Sequence, residues 1–160
     1  MKRTSYICLM FMVFIILLSG CKKEIKPKKA SDGKYATLYA GSTVDYNLFM
    51  NRELTNCASY VHAREVAAYG LSSSTNSSEL ASAKEGLKSL KEAIEQIKVT
   101  VPSKGYESTR ETTLQVLDVA LQHYEKYIKA LEENKDVSNY VQLFMNDYNE
   151  ITSQSSLYNQ

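Results

Sequence analysis

The sequence predicts an all-α fold, an antiparallel four-helix bundle, on three observations. Beyond residue 43, four segments repeat apolar residues at alternating spacings of three and four, as helices with one buried face do. The breaks between them are short and carry Gly, Pro, Ser or Asn. No apolar–polar alternation of the strand type runs for more than a few residues.

The first segment, 44–69, has a stripe of Tyr46, Phe49, Met50, Leu54, Cys57, Tyr60, Val61, Ala67 and Ala68. It ends at Gly70 and the polar run 72–78. The second, 78–99, is the most regular: Leu80, Ala83, Leu87, Leu90, Ile94 and Ile97 form an a/d seam over nearly three heptads. Its other side carries Lys and Glu, with Lys88/Glu92 and Lys91/Glu95 four apart. Pro102 and Gly105 stop it. The third, 108–134, repeats the pattern with Leu114, Leu117, Leu121, Tyr124, Ile128 and Leu131. A short break sends the fourth, 136–153, back antiparallel, with Val137, Tyr140, Val141, Phe144, Tyr148 and Ile151 together. None of these stripes is stable when exposed, and four of them with short links are buried most economically as an up-down bundle. The competing architecture is a helical hairpin or coiled coil of the second and third segments, flanked by loosely packed first and fourth helices.

Ahead of the bundle the chain reads differently. Lys2 and Arg3 precede an uncharged apolar run, 7–18, closed by small residues. A membrane-spanning helix needs roughly 20 apolar residues, and this run is shorter. The layout is that of a removable signal. Leu18-Ser19-Gly20-Cys21 resembles the lipobox of bacterial lipoproteins, in which diacylglycerol joins the cysteine sulfur before cleavage on its N-terminal side. The resemblance covers the leader and not the domain. It implies a signal at 1–20, a covalent lipid on Cys21 as the only attached group, and a protein held at the extracytoplasmic face of the cell membrane or outer membrane. The expected organisation is then signal 1–20, lipidated basic tether and lead-in 21–43, helical domain 44–153 and C-terminal tail 154–160.

Charge is divided along the chain. Lys22, Lys23, Lys26, Lys28 and Lys29 crowd the tether, which leaves twelve basic and seventeen acidic residues beyond it, a net of about −5. The lysines either lie along anionic headgroups or keep a solvated linker extended. An acidic domain without a basic patch excludes nucleic acid as a partner. With Cys8 removed and Cys21 lipidated, Cys57 is the one remaining thiol, either a small buried hydrophobe or an intermolecular partner.

Chemistry is sparse. At 100° per residue, His62 sits about 110° and His123 about 130° from their stripes, which turns both toward water. The central seams of the second and third segments hold no Asp or Glu, so a di-metal bundle would lack ligands and no metal site is expected. His62 and Glu65 form a weak surface site or, more simply, a solvated pair. No haem-attachment, phosphate-loop or nucleophile-elbow motif is present. The irregularity is Glu53 and Arg64, charged yet close to the centre of the first stripe. Eleven residues separate them, about 16 Å along a helix, so they cannot pair with each other. Either their long side chains reach the rim, or with Tyr60 they border a groove for a partner. The abundant tyrosines suit either a core boundary or a binding surface. The expected function is a non-catalytic, lipid-anchored helical domain binding a protein or envelope component. The alternatives are a metal-binding or small enzymatic bundle and an exclusion or immunity lipoprotein.

Overall fold

The computed structural model describes residues 38–39, 42–71 and 76–159. The leader, Cys21 and the basic tether lie outside the described residues. The elements in order are β1 (Leu38–Tyr39), α1 (Thr43–Gly70), α2 (Asn76–Val99), β2 (Thr100–Val101), α3 (Glu107–Glu132) and α4 (Tyr140–Ser156). The four helices form an antiparallel bundle in which each packs on its neighbours in the chain and α1 closes the ring against α4, its most extensive contact. No helix among the described residues is long and apolar enough to cross a membrane.

Local chemistry sets the helix ends. Ser42 caps α1 by accepting from the Asp45 backbone N–H at 3.1 Å and donating to the Asp45 carboxylate at 2.8 Å. Glu132 ends α3, and Asn134 then adopts φ 51°, the left-handed conformation that asparagine tolerates. Lys135 N–H donates back to the Ala130 carbonyl at 2.9 Å, which completes the helix stop. In the next link Asp136 accepts from the backbone and hydroxyl of Ser138, so α4 begins at Tyr140, four residues later than the pattern predicts. At its other end α4 runs to Ser156, and Tyr158 beyond it is buried. Residues expected to be a tail therefore belong to the bundle.

The antiparallel register is visible in side-chain contacts. Between α2 and α3, Lys84 pairs with Glu132, Lys91 with Glu125 and Lys98 with Asp118, stepping seven forward on one helix and seven back on the other. Between α1 and α4, Ser155 donates to Asn51 and the His62 ring lies 5.1 Å from Tyr148. The core follows the predicted seam on α2, where Ala83, Leu90, Ile94 and Ile97 are buried. On α3 it is rotated. The buried seam runs Thr113, Leu117, Ala120, Tyr124, Tyr127 and Leu131, while Leu114 and Leu121 are only partly covered.

Among the described residues, β1 and β2 make a parallel two-residue contact, Leu38 with Thr100 and Tyr39 with Val101, which docks β1 beside the α2–α3 link. Arg110 closes that end by donating to the carbonyls of Ile97, at 3.2 Å, and Lys98. These last carbonyls of α2 lack helical partners, and the guanidinium supplies them.

The Asn134 stop gives a direct test. Asn134→Ala, forced into the left-handed region, should cost about 1 kcal/mol in urea unfolding of the purified protein. Asn134→Gly should cost nothing measurable.

Candidate functional site

Polar residues interrupt the apolar seams of three helices, and each is met by a partner from within the chain. On α1 the residue is Arg64, which is buried. Its Nη1 donates to Glu79 Oε1 at 2.6 Å, and both side chains keep only 10% of their surface exposed. Glu79 sits in the first turn of α2, where the exposed N–H groups of the helix favour a carboxylate. From α3, the Tyr127 hydroxyl donates to the same Oε1 at 3.0 Å. Burial first, and then the Glu79 charge, push the Tyr127 phenol well above its usual range, so it remains a donor. Three helices thus meet on one carboxylate.

Two buried groups beside this point, Arg64 Nε and the Tyr124 hydroxyl, have no hydrogen-bond partner among the described residues. Burial raises the Tyr124 phenol to about 12, with Arg64 opposing and Glu79 adding to the rise. Gly86 of α2 faces that hydroxyl. A Cβ there would overlap the Tyr124 oxygen and lie 3.4 Å from Cζ, so glycine makes room for the ring.

Glu53 is also buried, and it accepts from Arg52 Nε at 2.9 Å and Nη2 at 2.8 Å. Arg52 lies over the Phe49 ring at 5.7 Å. Burial, then the Glu53 charge, push the Cys57 thiol up to about 12, which makes it an unreactive packing group. Of the three residues read as a groove, Glu53 and Arg64 therefore point inward, each to its own partner, and Tyr60 is half-buried.

On α4, Asp147 is a seam residue with 7% of its side chain exposed, and it holds His123 Nδ1 at 2.9 Å. The expectation that His123 faces water is corrected here. Its side chain is 23% exposed and lies in the α3–α4 contact. The true α3 seam is rotated toward α4, which leaves His123 about 80° from its centre. Burial raises the Asp147 carboxyl above its ordinary range, with His123 opposing. His62 is exposed, as expected, and bonds Glu65 at 2.8 Å. Among the described residues no three His, Cys, Asp or Glu side chains come together as metal ligands would.

At the end where the chain enters, Tyr46, Tyr106 and Tyr158 form an aromatic cluster with centroids 5.6–5.9 Å apart. Thr113 shares contacts of 3.1 Å with the Tyr158 hydroxyl and the Gln154 carbonyl oxygen, and Asn47 donates to Tyr106 at 3.0 Å. Tyr46, Tyr124, Tyr127 and Tyr158 are core residues.

The outer surface is asymmetric. The outward sides of α2 and α3 are rich in Lys and Glu. α1 has no lysine, and α4 has neither lysine nor arginine. The outward side of α1 instead exposes Val44, Leu48, Val66 and Tyr69, the last at 84%. No family model, no curated protein and no solved structure matches the chain.

Two tests follow from this geometry. Gly86→Ala should destabilise the protein by about 1–3 kcal/mol through overpacking. In a Tyr124→Phe background the same change should become neutral or stabilising, because alanine is the better helix former, and a double-mutant cycle reads the coupling. For Asp147, a raised carboxyl pKa means that stability is greatest with the group protonated and falls as pH rises through its folded value. Relative to Asp147→Asn, wild type should therefore be more stable at pH 4 than at pH 7, and the reverse order would reject the burial argument.

Proposed function

We propose that this chain is an extracytoplasmic lipoprotein, anchored by a diacylglyceryl group on Cys21, whose helical domain binds a protein or envelope component and catalyses no reaction. The observation that carries the reading is the placement of Leu18-Ser19-Gly20-Cys21. It closes a leader that begins with Lys2 and Arg3 and continues as an apolar run too short to span a bilayer. The same four letters inside a domain would carry little. Buried methylenes contribute roughly 0.8 kcal/mol each, so two acyl chains hold a protein at a bilayer where one is marginal. The lysines after Cys21 add about 1 kcal/mol each near anionic headgroups.

Binding is favoured over catalysis by what the polar residues do. Glu53, Arg64, Glu79 and Asp147 each find a polar or charged partner inside the chain. The outward side of α1, which has no lysine and exposes Val44, Leu48, Val66 and Tyr69 beside Asp45 and Arg52, is closer to the composition of a contact face than the Lys- and Glu-rich sides of α2 and α3.

Cys21→Ala should move the protein from the membrane fraction to the soluble fraction or leave the leader uncleaved. Intact-mass measurement of wild type from its native cells should show a new N-terminus at Cys21 plus a diacylglyceryl increment. An unmodified sulfur with the leader still attached would overturn the assignment.

A further inference from the structure

Three carboxylates of the bundle keep 10% or less of their side chain exposed: Glu53, Glu79 and Asp147. Two of them are met by a guanidinium, from Arg52 and Arg64, whose charge does not titrate. Asp147 is met by an imidazole. His123 Nδ1 lies 3.1 Å from Oδ1 and 2.9 Å from Oδ2, astride the carboxylate in the α3–α4 contact. Histidine is the side chain whose ordinary titration falls between pH 5 and 8, so of the three contacts this one changes its charge within that range. The other charged groups around it are turned elsewhere. On α3, Glu125 holds Lys91 and Lys126 is exposed; on α4, which has no lysine or arginine, Glu150 is exposed. On α1, which packs against α4, Arg52 holds Glu53, His62 holds Glu65 and Arg64 holds Glu79.

We propose that His123 and Asp147 form a proton-dependent clasp, which holds the first half of α4 on α3 in mildly acidic surroundings and loosens it above neutrality. With the imidazole protonated, the contact is a charge-assisted pair, roughly twice as strong as a neutral hydrogen bond. With it neutral, Nδ1 donates at most as an uncharged group, and an ionised Asp147 is left buried without a counter-charge. Burial disfavours the ionised carboxyl in any case, which acts in the same direction: stability present at low pH is lost as pH rises. The loosening has a hinge. The second α3–α4 pin, Thr113 with Gln154 and Tyr158, is made of uncharged groups, and Gln154 lies seven residues beyond Asp147, about 10 Å along the helix. Phe144 lies on the other side, one turn before Asp147, with its ring against Tyr124, Tyr127 and Tyr140 at 5.8, 5.2 and 6.1 Å. Opening at the clasp therefore starts at the Tyr140 end of α4, beside the non-helical link 133–139, and uncovers this aromatic layer. The clasp acts in the same way whether or not Cys21 carries lipid.

Hydrogen exchange of the full-length protein, read by peptide mass, tests this. Protection of the 143–149 amides, corrected for the intrinsic exchange rate at each pH, should be at least about fivefold greater at pH 5.5 than at pH 8. Protection over 83–97 of α2, whose buried side has no histidine, should not follow it. His123→Gln and Asp147→Asn should each remove the difference over 143–149. His123→Arg, whose charge persists at both pH values, should also give a ratio near one. Equal protection of 143–149 at the two pH values in wild type would overturn the proposal. So would a fall of equal size in α2, or a pH difference that survives in any of the three variants that keeps its helical content.

Discussion

The bundle depends on the rule that a buried charge must find a partner. Arg64 projects from the inward side of α1, where removing its partner would leave a charge uncompensated at a cost of roughly 3–5 kcal/mol. Glu79 meets it from the first turn of α2 and also receives Tyr127 from α3. One carboxylate therefore sets the height of three helices relative to one another. The pair need not add much net stability, because desolvation offsets most of the attraction. Its effect is on which arrangement is allowed: a one-turn slip of α1 would move the guanidinium about 5 Å from its acceptor.

The same logic recurs at the other contacts. α3 and α4 are pinned twice, by His123 with Asp147 and by Thr113 with Gln154 and Tyr158. α1 and α4 are pinned by Asn51 with Ser155. The rest of the core is mainly Leu, Ile, Ala and Tyr, with Met50, Cys57, Val61, Val137 and Phe144, at spacings of three and four that recur along each helix and so discriminate weakly between registers. Polar pins at fixed heights in each contact remove that degeneracy. The surface ion pairs between α2 and α3 follow the register but are too exposed to impose it, since pairs of this kind contribute little.

This division explains what was legible in the sequence. Helix number, order and direction follow from period and punctuation, and α2 ends at Val99 as predicted because Pro102 permits nothing longer. The phase of α3 was not legible. Leu114 and Leu121 outweigh Thr113 and Ala120 on any hydrophobic reading, yet the seam uses the smaller pair. Thr113 is acceptable inside because Gln154 and Tyr158 satisfy its hydroxyl, and Ala120 is fully buried beside it on the same seam. The error in phase displaced His123 to the surface and hid its carboxylate, since Asp147 and Gln154 look like the edge of a stripe until their partners on α3 are known. Glu53 and Arg64 stood out as charges in the wrong place. Their partners did not, because one is the adjacent Arg52 and the other lies across the serine-rich link.

The polar interior also bears on how the outer faces differ. Buried Glu53, Arg64, Glu79 and Asp147 account for four charges that would otherwise mark a surface site, and their neutralisation inside leaves the outer faces to be distinguished by composition alone. α2 and α3 present lysines and glutamates to solvent. α1 and α4 present threonine, serine, asparagine and isolated large apolar side chains with few charges, Asp45, Arg52 and Glu150 among them, a surface that water solvates less well. Tyr106 and Tyr158 stack where the chain enters, and the Leu38–Thr100 pairing holds the incoming strand to the α2–α3 side of that end.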